Sequence, residues 1–171
     1  MAMSMHAATV PVFVRALSNL RGVLQLGEAF AIERGITPDV LLQQRLIVDM
    51  LPLLRQVQIA TDMAKNGCAR LAAVDPLPFP DDETDFAGLY ARLDRCIEYI
   101  RGFTAQQLDG SETRTVSFST RASGELRFQG DDYLRSYLLP NLFFHCSIAY
   151  AILRANGVPL GKLDFLGARQ G

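Results

Sequence analysis

The chain has no tryptophan, only two histidines and only three cysteines among its 171 residues. The cysteines, Cys68, Cys96 and Cys146, are odd in number, lie far apart and form no CxxC pair. That pattern argues against a disulfide framework and against a zinc ribbon, and it fits a reducing compartment. We therefore predict a cytoplasmic protein.

Long runs of one charge are also absent. Seventeen basic residues against eighteen acidic ones give a net charge of -1, and no stretch is rich in Lys and Arg. No nucleic-acid partner and no polybasic membrane-surface segment are expected. The run Ser136 to Leu153 lacks formal charge and has the length of a candidate membrane span, but it contains Pro140, Asn141 and His145. We predict a buried bundle helix there and no membrane.

Apolar residues recur at steps of three and four in four long segments, which predicts four α-helices. Helix one is predicted from Ala7 to Glu33, helix two from Leu46 to Ala73, helix three from a cap at Thr84 to Ile100, and helix four from Gly130 or Asp131 to Asn156. A short helix capped by Thr37 precedes helix two. The predicted core positions of helix two are Leu46, Met50, Leu53, Val57, Ala60 and Ala64.

Between predicted helices three and four, apolar residues recur at every second position instead of at steps of three and four. Val116 and Phe118, and then Leu126 and Phe128, alternate in the manner of a small β-hairpin with Ser123 and Gly124 at its turn. The fold class predicted over residues 1–171 is therefore all-α, a single four-helix bundle domain with this hairpin inserted. An extended C-terminal arm is expected to pack Leu163 and Phe165 against it.

Two polar residues interrupt the predicted inner face of helix four. Along the steps Leu134, Leu138, Asn141, His145, Ile148 and Ile152, only Asn141 and His145 are polar. Asp49 and Gln56 of helix two lie seven residues apart and share a stripe beside its core face. Buried polar groups need partners, so these four could satisfy one another, a water, a metal or a ligand. Pro140 removes a helix hydrogen bond beside them, which favours a kink and a pocket.

Plainer interpretations of these residues stay open. An inward histidine is more often hydrogen-bonded within a core than a ligand. His145 and Cys146 do not predict a Cys–His nucleophile, because neighbours on a helix point about 100° apart. The opposite face of helix four, with Leu139, Phe143, Cys146 and Tyr150, is also apolar and needs a cover. The C-terminal arm or a second copy could supply it, and we predict a homodimer.

Three segments resemble a known family: SMHAATVPVFVRALSNL, LIVDMLPLLRQVQIATDMAK and DDYLRSYLLPNLFFHCSIAYAILRANGVPLGKLDFLG. They are similar to an uncharacterised bacterial family of unknown function within the DinB-like (damage-inducible) group of four-helix bundles. The resemblance covers about Ser4 to Gly167. It implies a bundle with a long crossover, often dimeric, and in many members of the wider group a divalent metal held by three histidines.

The resemblance also implies where such a metal would lie. His145 matches the second histidine of an H-x-x-x-H pair on helix four, while Asn141 replaces the first. Helix two has no histidine, and Gln56 is the best match to the third position. Zinc, nickel, iron or manganese could therefore be held by His145, Asn141 and Gln56, with Asp49 nearby. One imidazole and two amides form a weak set, so we expect no tightly bound metal.

Three functions compete on these residues. A metal-dependent thiol transferase, isomerase or hydrolase would use His145 as metal ligand or as general base, and it would require titration near neutral pH. A binding protein would use Asn141 and His145 to anchor a small, mostly apolar molecule. A structural role would use the polar cluster to fix the register of packed helices.

Overall fold

The computed structural model describes residues 3–120 and 123–167. In chain order they form α1 (Met5–Glu33), α2 (Asp39–Leu42), α3 (Leu53–Leu71), α4 (Phe86–Arg101), α5 (Ala105–Leu108), a 3₁₀ turn (Ser111–Thr113), β1 (Thr115–Thr120), β2 (Gly124–Gln129), α6 (Gly130–Asp132), a π-helical segment (Tyr133–Leu138), α7 (Leu139–Ala155) and α8 (Lys162–Leu166). Helix α1 packs on α4 and α7, and α3 packs on α4 and α7. The predicted all-α four-helix bundle with a hairpin before its last long helix is confirmed.

The first long helix begins two residues before its predicted start. The Ser4 hydroxyl accepts a hydrogen bond from the Ala7 amide at 3.2 Å and caps α1 at Met5. Pro11 consequently lies inside the helix, where it cannot donate to the Ala7 carbonyl. Both Ala7 and Pro11 are exposed, so water can satisfy that carbonyl.

The predicted start of helix two at Leu46 is wrong. Helix α3 begins at Leu53, and Pro52 precedes it with an extended backbone (φ -69°, ψ 165°). A proline disfavours helical backbone in the residue before it, so the apolar steps upstream belong to a loop. Leu46 is 41% exposed there, and Asp49 lies in an exposed turn rather than on the same helical stripe as Gln56.

The third long helix and the hairpin differ little from the prediction. Asp85, not Thr84, caps α4, because its carboxylate accepts from the Gly88 amide at 2.7 Å. The two strands pair antiparallel with Val116 opposite Phe128 and Phe118 opposite Leu126. The two phenylalanines face Tyr133 and Tyr137, with ring centroids 5.4–5.7 Å apart. This aromatic contact fixes the hairpin to the last long helix.

The last long helix runs without a break from Gly130 to Ala155, but near its start it is wound more widely than an α-helix. In the π-helical segment hydrogen bonds span five residues, as between the Leu139 amide and the Leu134 carbonyl. The extra residue rotates the inward face of the helix. The predicted inner face is therefore correct at Leu134, Leu138 and Ile152, while Asn141, His145 and Ile148 are only half-buried. The residues next to these positions, Leu142, Ala149 and Leu153, are fully buried instead.

The C-terminal segment covers part of the opposite face of α7, where Phe143 stays 39% exposed. Tyr150 donates a hydrogen bond to the Leu160 carbonyl at 3.3 Å, and its ring meets Phe165 edge-on with centroids 5.9 Å apart. The segment ends in the short helix α8 rather than in an extended arm. Leu163 is 77% exposed, so its predicted packing is wrong. The homodimer stays a prediction.

One helix in the described part of the chain, Gly130–Ala155, is long and apolar enough to cross a membrane by length and composition. Its inward side chains, including Leu138, Leu142 and Leu153, are buried in the bundle core. A core helix passes the same length and composition test as a membrane span. The expectation of no membrane stays a prediction.

Candidate functional site

The structure brings His145 of α7 and Gln56 of α3 into direct contact. The distance between His145 Nδ1 and Gln56 Oε1 is 2.7 Å. Gln56 is 2% exposed, and its amide nitrogen donates to the Leu51 carbonyl at 3.0 Å. A chain of two hydrogen bonds therefore connects the last long helix to the loop that precedes α3.

This chain fixes which nitrogen of His145 carries the proton. A carbonyl can only accept, so the Gln56 group that faces Leu51 must be the amide nitrogen. The group that faces the imidazole is then the amide oxygen, and Nδ1 must donate to it. In the neutral ring, Nε2 is left with a free lone pair, and no residue in the described ranges donates a hydrogen bond to it.

Burial holds His145 in its neutral form. It lowers the pKa of the imidazole to about 4, because the charged ring loses hydration that no nearby carboxylate replaces. At neutral pH the group is therefore an uncharged hydrogen-bond acceptor. A proton carrier works best when its pKa lies near the working pH, so the lowered pKa of His145 disfavours it as a general base there.

The two other predicted site residues do not join this pair. The Asn141 amide nitrogen donates to the Tyr137 carbonyl of its own helix at 2.7 Å. Asp49 is exposed in the turn before Pro52. Within residues 3–120 and 123–167, neither side chain forms a hydrogen bond with His145. Asn141 satisfies a carbonyl beside the π-helical segment, which is a structural role.

The divalent metal implied by the resemblance does not fit these donors. One imidazole nitrogen is free, while the Gln56 oxygen is already engaged by Nδ1. Across the described ranges, no three side chains of the types His, Cys, Asp and Glu form a group able to hold a metal. Zinc and nickel sites need several nitrogen or sulfur ligands, and the harder ions need several oxygens. The ligand set of His145, Asn141 and Gln56 stays a prediction without geometric support.

The thiols offer no alternative nucleophile. Cys68, Cys96 and Cys146 are all free and buried. Burial raises the pKa of Cys146 and of Cys96 to about 12, and it raises the pKa of Cys68 further. The reactive form of cysteine is the thiolate, so these thiols are inert at neutral pH.

Sequence reasoning missed a second polar cluster, which we call the Arg92 network. The Arg92 side chain is 1% exposed and forms ion pairs with Asp62, Asp81 and Glu83 at 3.0–3.1 Å. It also donates to the Thr61 hydroxyl at 2.7 Å and to the Pro80 carbonyl at 2.8 Å. The guanidinium is saturated, and it ties the acidic loop before α4 to α3.

Lys65 extends the Arg92 network along α3. Its ammonium donates to Asn66 and to the Leu77 carbonyl, each at 2.7 Å, and lies 3.6 Å from Asp62. Burial lowers the pKa of Lys65 and raises that of Asp62, while their mutual attraction opposes both shifts. The sequence did indicate that Arg92 is buried, because it lies three residues after Leu89 and next to Leu93, on the core face of predicted helix three.

Residues 5–166 match the family model described as Domain of unknown function (DUF1993). The chain belongs to this family. None of the curated proteins matches the DUF1993 chain.

A solved structure gives the wider relationship. The chain is similar to a DinB family member protein from Shewanella denitrificans, known from its crystal structure, with 37% sequence identity and a TM-score of 0.87. The likeness covers 97% of this chain and 93% of that one. The predicted membership of an uncharacterised DinB-like family is confirmed.

Proposed function

We propose that this DinB-like protein binds a small, mostly apolar molecule through a hydrogen bond to Nε2 of His145. The observation that carries the proposal is the hydrogen-bond chain from His145 Nδ1 through Gln56 to the Leu51 carbonyl. It leaves a single acceptor atom on a ring whose orientation and proton are both fixed. Such preorganisation lowers the ordering cost of binding.

The surroundings of the ring define the class of ligand. Phe144 meets the imidazole edge-on with centroids 5.2 Å apart and is 51% exposed. Leu51, whose carbonyl holds Gln56, is 43% exposed. Small-molecule sites combine mostly apolar side chains with a few fixed polar groups, and Phe144 and the His145 ring supply one of each. The ligand should therefore carry an apolar ring and one O–H or N–H donor.

Binding is favoured over catalysis by the charge of the site. A metal-dependent transferase or hydrolase needs ligands that this donor set lacks, and a histidine base needs a pKa near neutrality. The pKa of His145 is lowered to about 4 by burial, far from that range. A cytoplasmic location and the absence of a nucleic-acid partner remain predictions of the sequence.

The test uses pairs of probes that differ only in the donor. Phenol with anisole, and indole with N-methylindole, would be titrated into untagged protein while the ring protons of both histidines are followed by NMR. His6 is an internal control, because its Nε2 lies 3.2 Å from the Phe103 carbonyl in another part of the fold. Phenol and indole should shift His145 and leave His6 unchanged, and their methylated partners should bind at least several-fold more weakly.

Two outcomes contradict the proposal. Equal shifts from both members of each pair would show that Nε2 accepts no hydrogen bond from the ligand. The second outcome would come from elemental analysis of the same untagged protein. One equivalent of zinc, nickel, iron or manganese that is lost in His145→Gln would support a metalloenzyme instead.

A further inference from the structure

A separate cavity lies on the far side of α7 from the His145 ring. It has a volume of about 240 Å³ and lies between α1, α7 and α8. Its walls are mostly apolar and include Val12, Ala16, Leu20, Phe143, Cys146 and Phe165. An apolar cavity of about 150 Å³ holds benzene, so by volume this one has room for roughly ten carbon atoms.

One cation lies at this apolar cavity. Among the described residues that line the wall, Arg15 alone carries a formal charge, and Asn19 lies one helical turn further along α1. Arg15 Nη2 donates to the Leu166 carbonyl at 3.1 Å, and Asn19 donates to the Phe165 carbonyl at 3.2 Å. Within residues 3–120 and 123–167, no carboxylate lies within ion-pair distance of Arg15. The remaining guanidinium donors are available to a ligand.

These observations assign a ligand chemistry to the cavity. We propose that it binds a small apolar carboxylate of about eight to ten carbon atoms, scaled from the cavity that holds benzene, with the acid group on Arg15 and the chain among the apolar walls. A planar guanidinium matches a carboxylate in shape and charge, and no acidic residue from the ranges 3–120 and 123–167 lines the wall to repel one.

Helix α8 forms one wall of this site and is held by the same two residues that line it. Gly167 follows α8 with φ +72°, and an added Cβ there would collide with the Asn19 side-chain oxygen. The close approach keeps Phe165 over the cavity. Cys146 contributes an apolar surface to the wall, because its buried thiol stays protonated.

The test compares three probes with one chain length and different head groups. Octanoate, 1-octanol and octylamine would be titrated by calorimetry below their aggregation limits. Octanoate should bind at one site per chain, with octanol at least about tenfold weaker because it forms no charge-assisted pair. Octylamine should bind weakest, since its cation meets Arg15.

Variants locate the binding site. Arg15→Gln should weaken octanoate about tenfold and leave octanol unchanged, whereas Ala16→Leu, which fills the cavity, should abolish both. Arg34→Gln removes a charge from the end of α1 away from the cavity and should change neither. If Ala16→Leu does not fold, Arg15→Gln against Arg34→Gln still decides the question.

Three results would overturn the assignment. Equal affinities for the three head groups would remove the role of Arg15. Octanoate binding that survives a folded Ala16→Leu variant would place the ligand elsewhere. No octanoate binding to the native protein would show that the cavity is only a packing gap.

Discussion

The bundle contains two polar clusters that differ in how completely their groups are paired. The Arg92 network surrounds one guanidinium with Asp62, Asp81 and Glu83, and every direction in which it can donate is used. The His145–Gln56 pair is neutral, and one ring nitrogen remains without a protein partner in the described part of the chain. Both clusters join long helices, but only the second leaves an atom available to a ligand.

This difference distinguishes a cluster that stabilises the fold from one that is proposed to bind a ligand. Buried charges are costly unless every one is paired, so a saturated ionic cluster is explained by the loop that it fixes. A neutral pair needs fewer partners, and a free acceptor on it costs little while water can reach the atom. Unused bonding capacity is therefore a better guide to the functional site than the density of polar residues.

The largest effect is expected from breaking the Arg92 network. Arg92→Met removes the cation and leaves Asp62, Asp81 and Glu83 without their shared partner. Losing one member of a buried ion pair typically costs about 3–5 kcal/mol of unfolding free energy. We expect the lower end of that range, because the three carboxylates are 10–37% exposed. Urea denaturation measures the loss, and an Arg92→Met variant as stable as the native chain would contradict the account.

A matched control is available on the same helix. Arg101 forms an exposed ion pair with Glu98 at 2.8 Å. Arg101→Met deletes the same charge and should change the unfolding free energy by less than about 0.5 kcal/mol, as for other surface pairs. A loss similar to that of Arg92→Met would mean that burial does not explain the difference.

The next effect tests the neutral pair. Gln56→Leu fills the buried space but leaves His145 Nδ1 and the Leu51 carbonyl without their partner. An unsatisfied buried polar group costs about 1–3 kcal/mol, and we expect the lower half of that range because the ring is only half-buried. The same denaturation series measures it, and no loss would mean that water replaces the amide freely.

The third effect is a pH dependence carried by His145. Its folded pKa of about 4 lies below the ordinary value of 6.5, so the unfolded chain binds the proton first as pH falls. The native protein should lose stability between about pH 6.5 and pH 4 and be unaffected by this group above that window. We expect a loss of about 1 kcal/mol, reduced from the full linkage value because solvent reaches the ring.

The variant His145→Gln isolates this contribution. Burial raises the pKa of Asp62, which therefore acts in the opposite direction on acidification. That contribution is shared by both chains and cancels in the difference between their stability curves. Parallel curves from pH 7 to pH 4 would contradict the depressed pKa of His145.

The smallest effect is expected at Asp49, the residue that the sequence placed in the site. It is exposed in the turn before Pro52. Asp49→Asn should change the unfolding free energy by less than about 0.5 kcal/mol, as is usual for surface substitutions. It should also leave the response of His145 to phenol and indole unchanged. A clear loss of that response would place Asp49 at the ligand.

Local patterns predicted most of the fold. Apolar steps of three and four located the four long helices, and the alternation around Val116 and Phe128 located the hairpin. The start of α3 was missed because the same steps continue over Leu46 and Met50, where Pro52 prevents a helix. The π-helical segment was missed because it changes the period that such patterns assume.

The site was predicted in part. Polar residues on an apolar helix identified His145, and the position of Gln56 beside the core face of its helix made it a candidate partner, which the resemblance also implied. The use of Nδ1, the free Nε2 and the local role of Asn141 depend on distances between groups far apart in the chain. The Arg92 network joins three segments whose contacting residues lie up to 31 positions apart in the chain. The spacing of apolar residues does not predict such pairings.

The most direct measurement is the protonation of the two ring nitrogens of His145. Nitrogen-15 NMR of the imidazole across pH 8 to pH 4, with His6→Gln to assign the signals, reads both the tautomer and the pKa. The account predicts a neutral ring protonated at Nδ1 throughout the neutral range, with a midpoint near 4. A ring protonated at Nε2, or a midpoint near 6.5, would contradict it.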